Sequence, residues 1–293
     1  MNDSTRRLLG YGGAGVLVAA LVWGGFVRKP DASPGTLLES ARLHLQLAGG
    51  MPAKDRQGRP LAARVQLLEQ GEDFLARFER SEPGAADGHL LRGYLNHLRG
   101  DHAAAAASYA RARAAADVPP EAVPGIVLDQ ARALRLGGNP AACLDVLAGQ
   151  WAQLEARNAQ ESRFEKALAL GALGRGPEAL ASAREAAQCA EDPMRAIHCG
   201  QLLERLGDAD AAGAAYRRAL PAKGVAHYFL ARLKAKSGNF DSALQELELA
   251  VQADGSQTRR LLAEDAELWR PVADTDSFRT WVPSAAPAAV PGR

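Results

Sequence analysis

Five times between residues 98 and 243 the sequence ends one stretch at a glycine and opens another that carries an alanine five residues on: LRGDHAAA, RLGGNPAA, ALGRGPEA, RLGDADAA and KSGNFDSA. The break glycines are Gly100, Gly137, Gly174, Gly207 and Gly238, separated by 37, 37, 33 and 31 residues, and Ala105, Ala142, Ala179, Ala212 and Ala243 keep the same intervals. Seven residues further on, Ala112, Gly149, Ala186, Ala219 and Ala250 are small again. Glycine suits the left-handed conformation that ends a helix, and small side chains let two helices approach closely. Between the small positions stand Tyr109, Val146, Tyr216 and Leu247, bulky enough to wedge into the next pair, whereas Ala183 predicts a looser third unit. Such a unit is a helical hairpin that cannot bury its apolar face alone, so its copies must stack.

The pattern is clearest in ERLGDADAAGAAYRRAL, residues 204–220. With Gly200, Leu203, Leu206, Gly207, Asp208, Ala212, Tyr216, Ala219 and Pro221 in order, this fourth unit resembles the tetratricopeptide repeat, a helix-turn-helix of about 34 residues. The second unit matches least well: Gln130 stands where a small first-helix residue is expected, with Ala131 beside it. The resemblance covers residues 86–254. It implies an all-α fold, a right-handed superhelix (α-solenoid) of stacked hairpins. Residues 37–85 read as a divergent helical pair joined by the polar MPAKDRQGR, and 255–282 as capping helices carrying Leu268, Trp269, Phe278 and Trp281. Residues 283–293 are low-complexity and are expected to be disordered.

Ahead of the array, the uncharged run Leu8 to Val27 follows Arg6 and Arg7, and Arg28 and Lys29 come after it. As a helix its 20 residues reach about 30 Å, the thickness of a hydrocarbon core. The expectation is one transmembrane helix over 8–27, between a short tail (1–7) and a linker (28–36), with a cleaved signal peptide as the competing reading. That places the chain as a single-pass inner-membrane protein with its repeats on the periplasmic side, since a short basic tail favours the inside. Gly10, Gly12 and Gly15 spell G-x-G-x-x-G, but no strand or βαβ unit surrounds them, and small residues in a membrane helix account for them.

Charge is balanced, 35 Lys+Arg against 34 Asp+Glu, which argues against nucleic-acid binding. The cysteines, Cys143, Cys189 and Cys199, make no C-x-x-C pair, although Cys189 and Cys199 offer a possible bridge between hairpins. His97 and His102 flank Gly100 at a spacing that fits no metal motif, and the adjacent His198 and Cys199 point about 100° apart on a helix. No P-loop, nucleophile-elbow or H-E-x-x-H motif occurs. The reading is a non-enzyme with no catalytic residue, metal, cofactor or small-molecule substrate.

A stacked array lines its concave face with first helices, where a segment of another protein can lie. The candidate groove residues are Leu90, Tyr94 and His97 in the first unit and Phe164 and Leu168 in the third. The fourth unit adds Ile197, Gln201 and Arg205, and the fifth Tyr228, Arg232 and Lys236. The early end is apolar and aromatic and the late end basic, which suits a peptide with hydrophobic anchors followed by acidic groups or a free carboxylate. The asparagines with which some tetratricopeptide proteins grip a terminal carboxylate are missing: Tyr94, Leu168, Gln201 and Arg232 stand there. The expected function is a membrane-anchored interaction scaffold in the assembly of a bacterial envelope complex, the alternative a holdase-like chaperone at the membrane surface.

Overall fold

A computed structural model describes residues 32–55 and 57–281, in two compact units divided between Pro83 and Gly84. The transmembrane expectation for 8–27, the tail at 1–7 and the low-complexity 283–293 lie outside the described residues. Among the described residues the structure is helical without a named strand, and no helix is long and apolar enough to cross a membrane.

The first unit is a hairpin of α1 (Pro34–Gly49) and α2 (Ala62–Ser81). Ser33 caps α1 by accepting from the Thr36 amide, and Pro34 supplies a preset first-turn φ. Leu37, Ala41, Leu45 and Ala48 recur at helical spacing and face Leu67, Leu68, Leu75 and Phe78. Gly71 lets the helices meet, since a Cβ there would lie 2.9 Å from Leu45 Cδ2.

The second unit stacks five hairpins: α3 (Ala86–Arg99) with α4 (His102–Ala114), α5 (Val123–Leu136) with α6 (Pro140–Ala148), α7 (Trp151–Ala172) with α8 (Gly176–Gln188), α9 (Pro193–Arg205) with α10 (Ala209–Arg218), and α11 (Gly224–Lys236) with α12 (Phe240–Glu264). Each turn is a left-handed glycine followed by the second helix's cap. The side chains of Asp101, Asn139, Asp208 and Asn239 accept from the amides three residues on. Arg175 is the exception and pairs with Glu178 instead.

The second hairpin corrects the sequence register by one residue. Gly138 (φ 81°), not Gly137 (φ −77°), takes the left-handed turn, because Asn139 is the cap and Pro140 the first helical residue. The small buried position of α6 is therefore Cys143 rather than Ala142, and the wedge is Leu147 rather than Val146. Gly149 is correspondingly the exposed cap that ends the nine-residue α6. The same shift puts Ala131, not Gln130, in the small first-helix position. All five hairpins then obey one rule: Gly93 and Tyr109, Ala131 and Leu147, Ala167 and Ala183, Gly200 and Tyr216, Ala231 and Leu247 are each sixteen residues apart, and every one is buried. Volumes compensate across the pair. Where the partner is tyrosine the first helix carries glycine, and a Cβ on Gly93 or Gly200 would lie 2.6 or 2.4 Å from the ring.

Two helices are broken internally. Asn158 (φ −138°, ψ 36°) splits α7, and the extra turns before it bring Trp151 and Leu154 over Leu147 and Cys143, which lengthens this unit. Asp254 (φ −155°, ψ 86°) splits α12 and caps its second segment by accepting from the Gln257 amide. That segment, α13 (Ala266–Trp269), a 3₁₀ turn and α14 (Asp276–Trp281) bring Trp269, Val272 and Phe278 into the cluster that holds Tyr228 and Phe229.

Candidate partner-binding face

In the corrected register, the residue six before each left-handed glycine follows the small position of its first helix: Tyr94, Arg132, Leu168, Gln201 and Arg232. These side chains are all half-buried, the state expected of a helix face that is neither core nor fully solvated. Around them Leu90, His97 and Phe164 are also half-buried, and Arg205 and Lys236 are exposed.

Two of the eleven groove candidates belong to the core instead. Ile197 and Tyr228 are each 1% exposed. The Tyr228 ring packs 6.3 Å from Trp269, and its hydroxyl donates to the Asp265 carboxylate (2.7 Å) and the Leu261 carbonyl (2.9 Å). The capping segment thus occupies the surface that Tyr228 was expected to offer.

The expected basic end is also altered, because Arg232 and Lys236 are engaged by a carboxylate of the protein itself. Both carboxylate oxygens of Glu204 accept from Arg232 Nη2 at 3.1 Å, while Lys236 Nζ (2.6 Å) and the Tyr216 hydroxyl (2.8 Å) complete the shell. Arg232 Nη1 lies 3.5 Å from Asp265, and its guanidinium sits over the Phe229 ring. Burial opposes ionisation of Glu204. The hydrogen bonds from Lys236 and Tyr216 and the charge of Arg232 outweigh it, so the carboxyl is held below its ordinary range.

A second buried carboxylate, Glu165 (3% exposed), bridges α7 to α5 by accepting from Arg132 Nε (2.9 Å) and Arg135 Nε (2.8 Å). Asp129 stands 3.6 Å from Arg132 Nη1, and burial together with the Glu165 charge raises its carboxyl despite that arginine. Sequence reading missed Arg132 and Arg135. The signal was present in Asn139-Pro140, a cap followed by a first-turn proline, which marks Gly138 as the turn glycine and aligns Arg132 with Tyr94 and Leu168.

The His97 and His102 rings come together at 5.2 Å between centroids. Burial, His102 and Arg132 hold His97 below its ordinary pKa. Among the described residues no group of three His, Cys, Asp or Glu is placed to hold a metal. All three cysteines are free thiols, so Cys189 and Cys199 are not bridged. Cys189 accepts from Arg163 Nη1 and Cys199 from Gln160 Nε2. Burial pushes the Cys143 thiol up to about 12 and raises that of Cys199, the opposite of what a nucleophile needs. His198 is exposed while Cys199 is fully buried, so the two form no couple.

No family model and no curated protein sequence matches the chain. Solved structures do. One is PilW, described as a widely conserved type IV pilus biogenesis factor, 14% identical with a TM-score of 0.50, the match covering 82% of this chain and 97% of that one. Another is the C-terminal part of a TPR repeat-containing protein from Cytophaga hutchinsonii, 11% identical with a TM-score of 0.52, covering 83% of this chain and 92% of that one. At these identities the likeness is one of fold: the described residues share the all-helical architecture of these proteins, one of them a TPR repeat-containing protein.

Proposed function

We propose that this chain is a protein-protein interaction scaffold that binds an extended partner segment along its first-helix face. The observation that carries the reading is the row of half-buried side chains at one register position of successive first helices, with Leu90, Tyr94, Phe164 and Leu168 giving its early part an apolar and aromatic character while each stays partly exposed beside the core. The fold supports it, since stacked hairpins present such a face as a continuous surface. The face then comprises Leu90, Tyr94, His97, Phe164, Leu168, Gln201 and Arg205. Ile197 and Tyr228 are withdrawn into the core, and Arg232 and Lys236 are engaged by Glu204. A photo-crosslinking side chain at Leu168 in the full chain, expressed in its own cells, is expected to trap a defined protein, and one at exposed Glu248 is not. Equal labelling at the two positions overturns the assignment, and indifferent capture of many unrelated chains points to a holdase.

The run Leu8 to Val27 supports a membrane anchor, with the repeats outside the cytoplasm, and the fold shared with a pilus biogenesis factor supports a place in envelope assembly. Carbonate extraction of membranes tests the anchor. Recovery of the repeats in the soluble fraction refutes it, and protection from protease until the inner membrane is lysed reverses the orientation.

A further inference from the structure

His97 and His102 are distant as a linear spacing and close in the fold. His97 lies in the last turn of α3, His102 opens α4, and Gly100 at φ 81° folds one helix back on the other. The ring centroids come to 5.2 Å with the planes tilted by 54°. Two imidazoles on one tetrahedral ion stand at this separation. With metal–nitrogen bonds of about 2.1 Å, each ring centre lies about 3.2 Å from the metal and the two centres about 5.2 Å from each other.

An ordinary aromatic contact has a similar spacing, and what sets this pair apart is that its nitrogens are not engaged. Among the described residues neither ring makes a hydrogen bond, and His102 Nδ1 is buried without a partner. Other half-buried histidines of the chain are tied down: His44 Nδ1 meets the Ser40 carbonyl and His227 Nδ1 the Glu246 carboxylate, each at 2.7 Å. Buried polar nitrogens normally find such partners. With no bond to fix it, each ring turns about χ2, a torsion with broad wells, and so brings a nitrogen toward a point between the two. His97 and His102 are both half-buried, so solvent ions reach them. Arg132 is close enough to act on His97, but its charge is matched by Glu165 at 2.9 Å and Asp129 at 3.6 Å.

We propose that His97 and His102 form a site for a divalent transition-metal cation of the zinc, cobalt, nickel or copper class, with water in the remaining positions. Imidazole suits these ions, whereas calcium and magnesium take oxygen ligands. Among the described residues no third His, Cys, Asp or Glu completes the set, so the site is open and its dissociation constant is on the order of micromolar. The inference stands apart from the partner-binding reading and survives its failure.

Co2+ is the probe, because its visible absorption reports coordination geometry. Titration of the detergent-solubilised full chain with cobalt chloride is expected to saturate at one equivalent with the intense bands of a four-coordinate ion, which zinc chloride then bleaches and magnesium chloride does not. In the wild-type chain the imidazole signals of His97 and His102 should be the histidine resonances that Zn2+ moves in nuclear magnetic resonance spectra. His97→Ala and His102→Ala should each weaken Zn2+ binding in calorimetry about tenfold or more, since even an outer-shell partner of a ligand is worth that much. His198→Ala, at an exposed histidine of another hairpin, should leave binding unchanged. Absence of the bands, movement of other histidine signals in place of these two, or full binding in either variant overturns the site. The wild-type spectra decide the question even where a variant fails to fold.

Discussion

Hairpins α5–α6 and α9–α10 are built to one sixteen-residue rule and reach it by different chemistry. The fourth fills its space with Gly200 against Tyr216, and the second with Ala131 against Leu147. Each also joins the next hairpin through a buried glutamate set between two cations, Arg132 and Arg135 of α5 with Glu165 of α7, and Glu204 of α9 with Arg232 and Lys236 of α11. The outcomes differ because of what else reaches the carboxylate. The Tyr216 hydroxyl, available only because Gly200 makes room for the ring, joins the Glu204 shell and ties it to the hydrophobic core. Leu147 offers no such donor. One cluster is therefore closed by a hydroxyl from the core, and the other lacks that donor.

The largest expected effect tests that closure. Glu204→Gln leaves Arg232 and Lys236 without their shared anion in a site where the carboxylate side chain is only 7% exposed, and Arg232 Nε is already buried without a partner. Breaking one partner of a buried pair typically costs about 3 kcal/mol or more. Glu165→Gln removes an equally buried carboxylate whose shell lacks a hydroxyl donor such as Tyr216, so a smaller loss of about 1.5 kcal/mol is expected, the scale of a hydrogen bond to a charged group. Urea unfolding followed by circular dichroism compares them. Equal losses, or a larger loss for Glu165→Gln, break the distinction between closed and open clusters.

The array was legible in the sequence because left-handed glycines and small contact residues leave a periodic trace that needs no partner information. Its register in the second hairpin was not. Gly137 and Gly138 are both candidates for the turn, and the choice is made by the Asn139 side chain accepting from the Ala142 amide. Tyr94 and Leu168 were found by counting along a helix. Tyr228 and Arg232 were misjudged because the groups that cover or neutralise them, Trp269, Asp265 and Glu204, lie 28 to 41 residues away and enter through tertiary packing.

The register shift yields the next prediction. Cys143 is fully buried among Leu147, Leu154 and Ala131, so Cys143→Leu should cost about 2 kcal/mol by overpacking. The neighbouring half-buried Ala142→Leu should stay within about 0.5 kcal/mol. In the fourth hairpin the equivalent of Cys143 is Ala212, and Ala212→Leu should again cost about 2 kcal/mol. If thermal melts show Ala142→Leu as the damaging change and Cys143→Leu as mild, then Gly137 is the turn glycine after all.

The smallest expected effect concerns pH, where the two clusters should respond in opposite directions. Glu204 is held below its ordinary pKa, so it contributes stability that is fully present above about pH 4.5, the unfolded value, and is lost as pH falls through the folded one. Asp129, beside the other cluster, is raised above 3.8 by burial and by Glu165, against the pull of Arg132. Its folded form therefore binds a proton more tightly than its unfolded form, and this side chain disfavours folding increasingly as pH rises through its folded value. Asp129→Asn should then gain stability relative to the wild type on going from pH 3.5 to 7, while Glu204→Gln should lose it over the same range. Urea titrations of the three chains at a series of pH values read the two differences directly. Differences of the same sign would mean that Arg132 is as fully engaged by Asp129 as Arg232 is by Glu204, and that the second cluster is closed too.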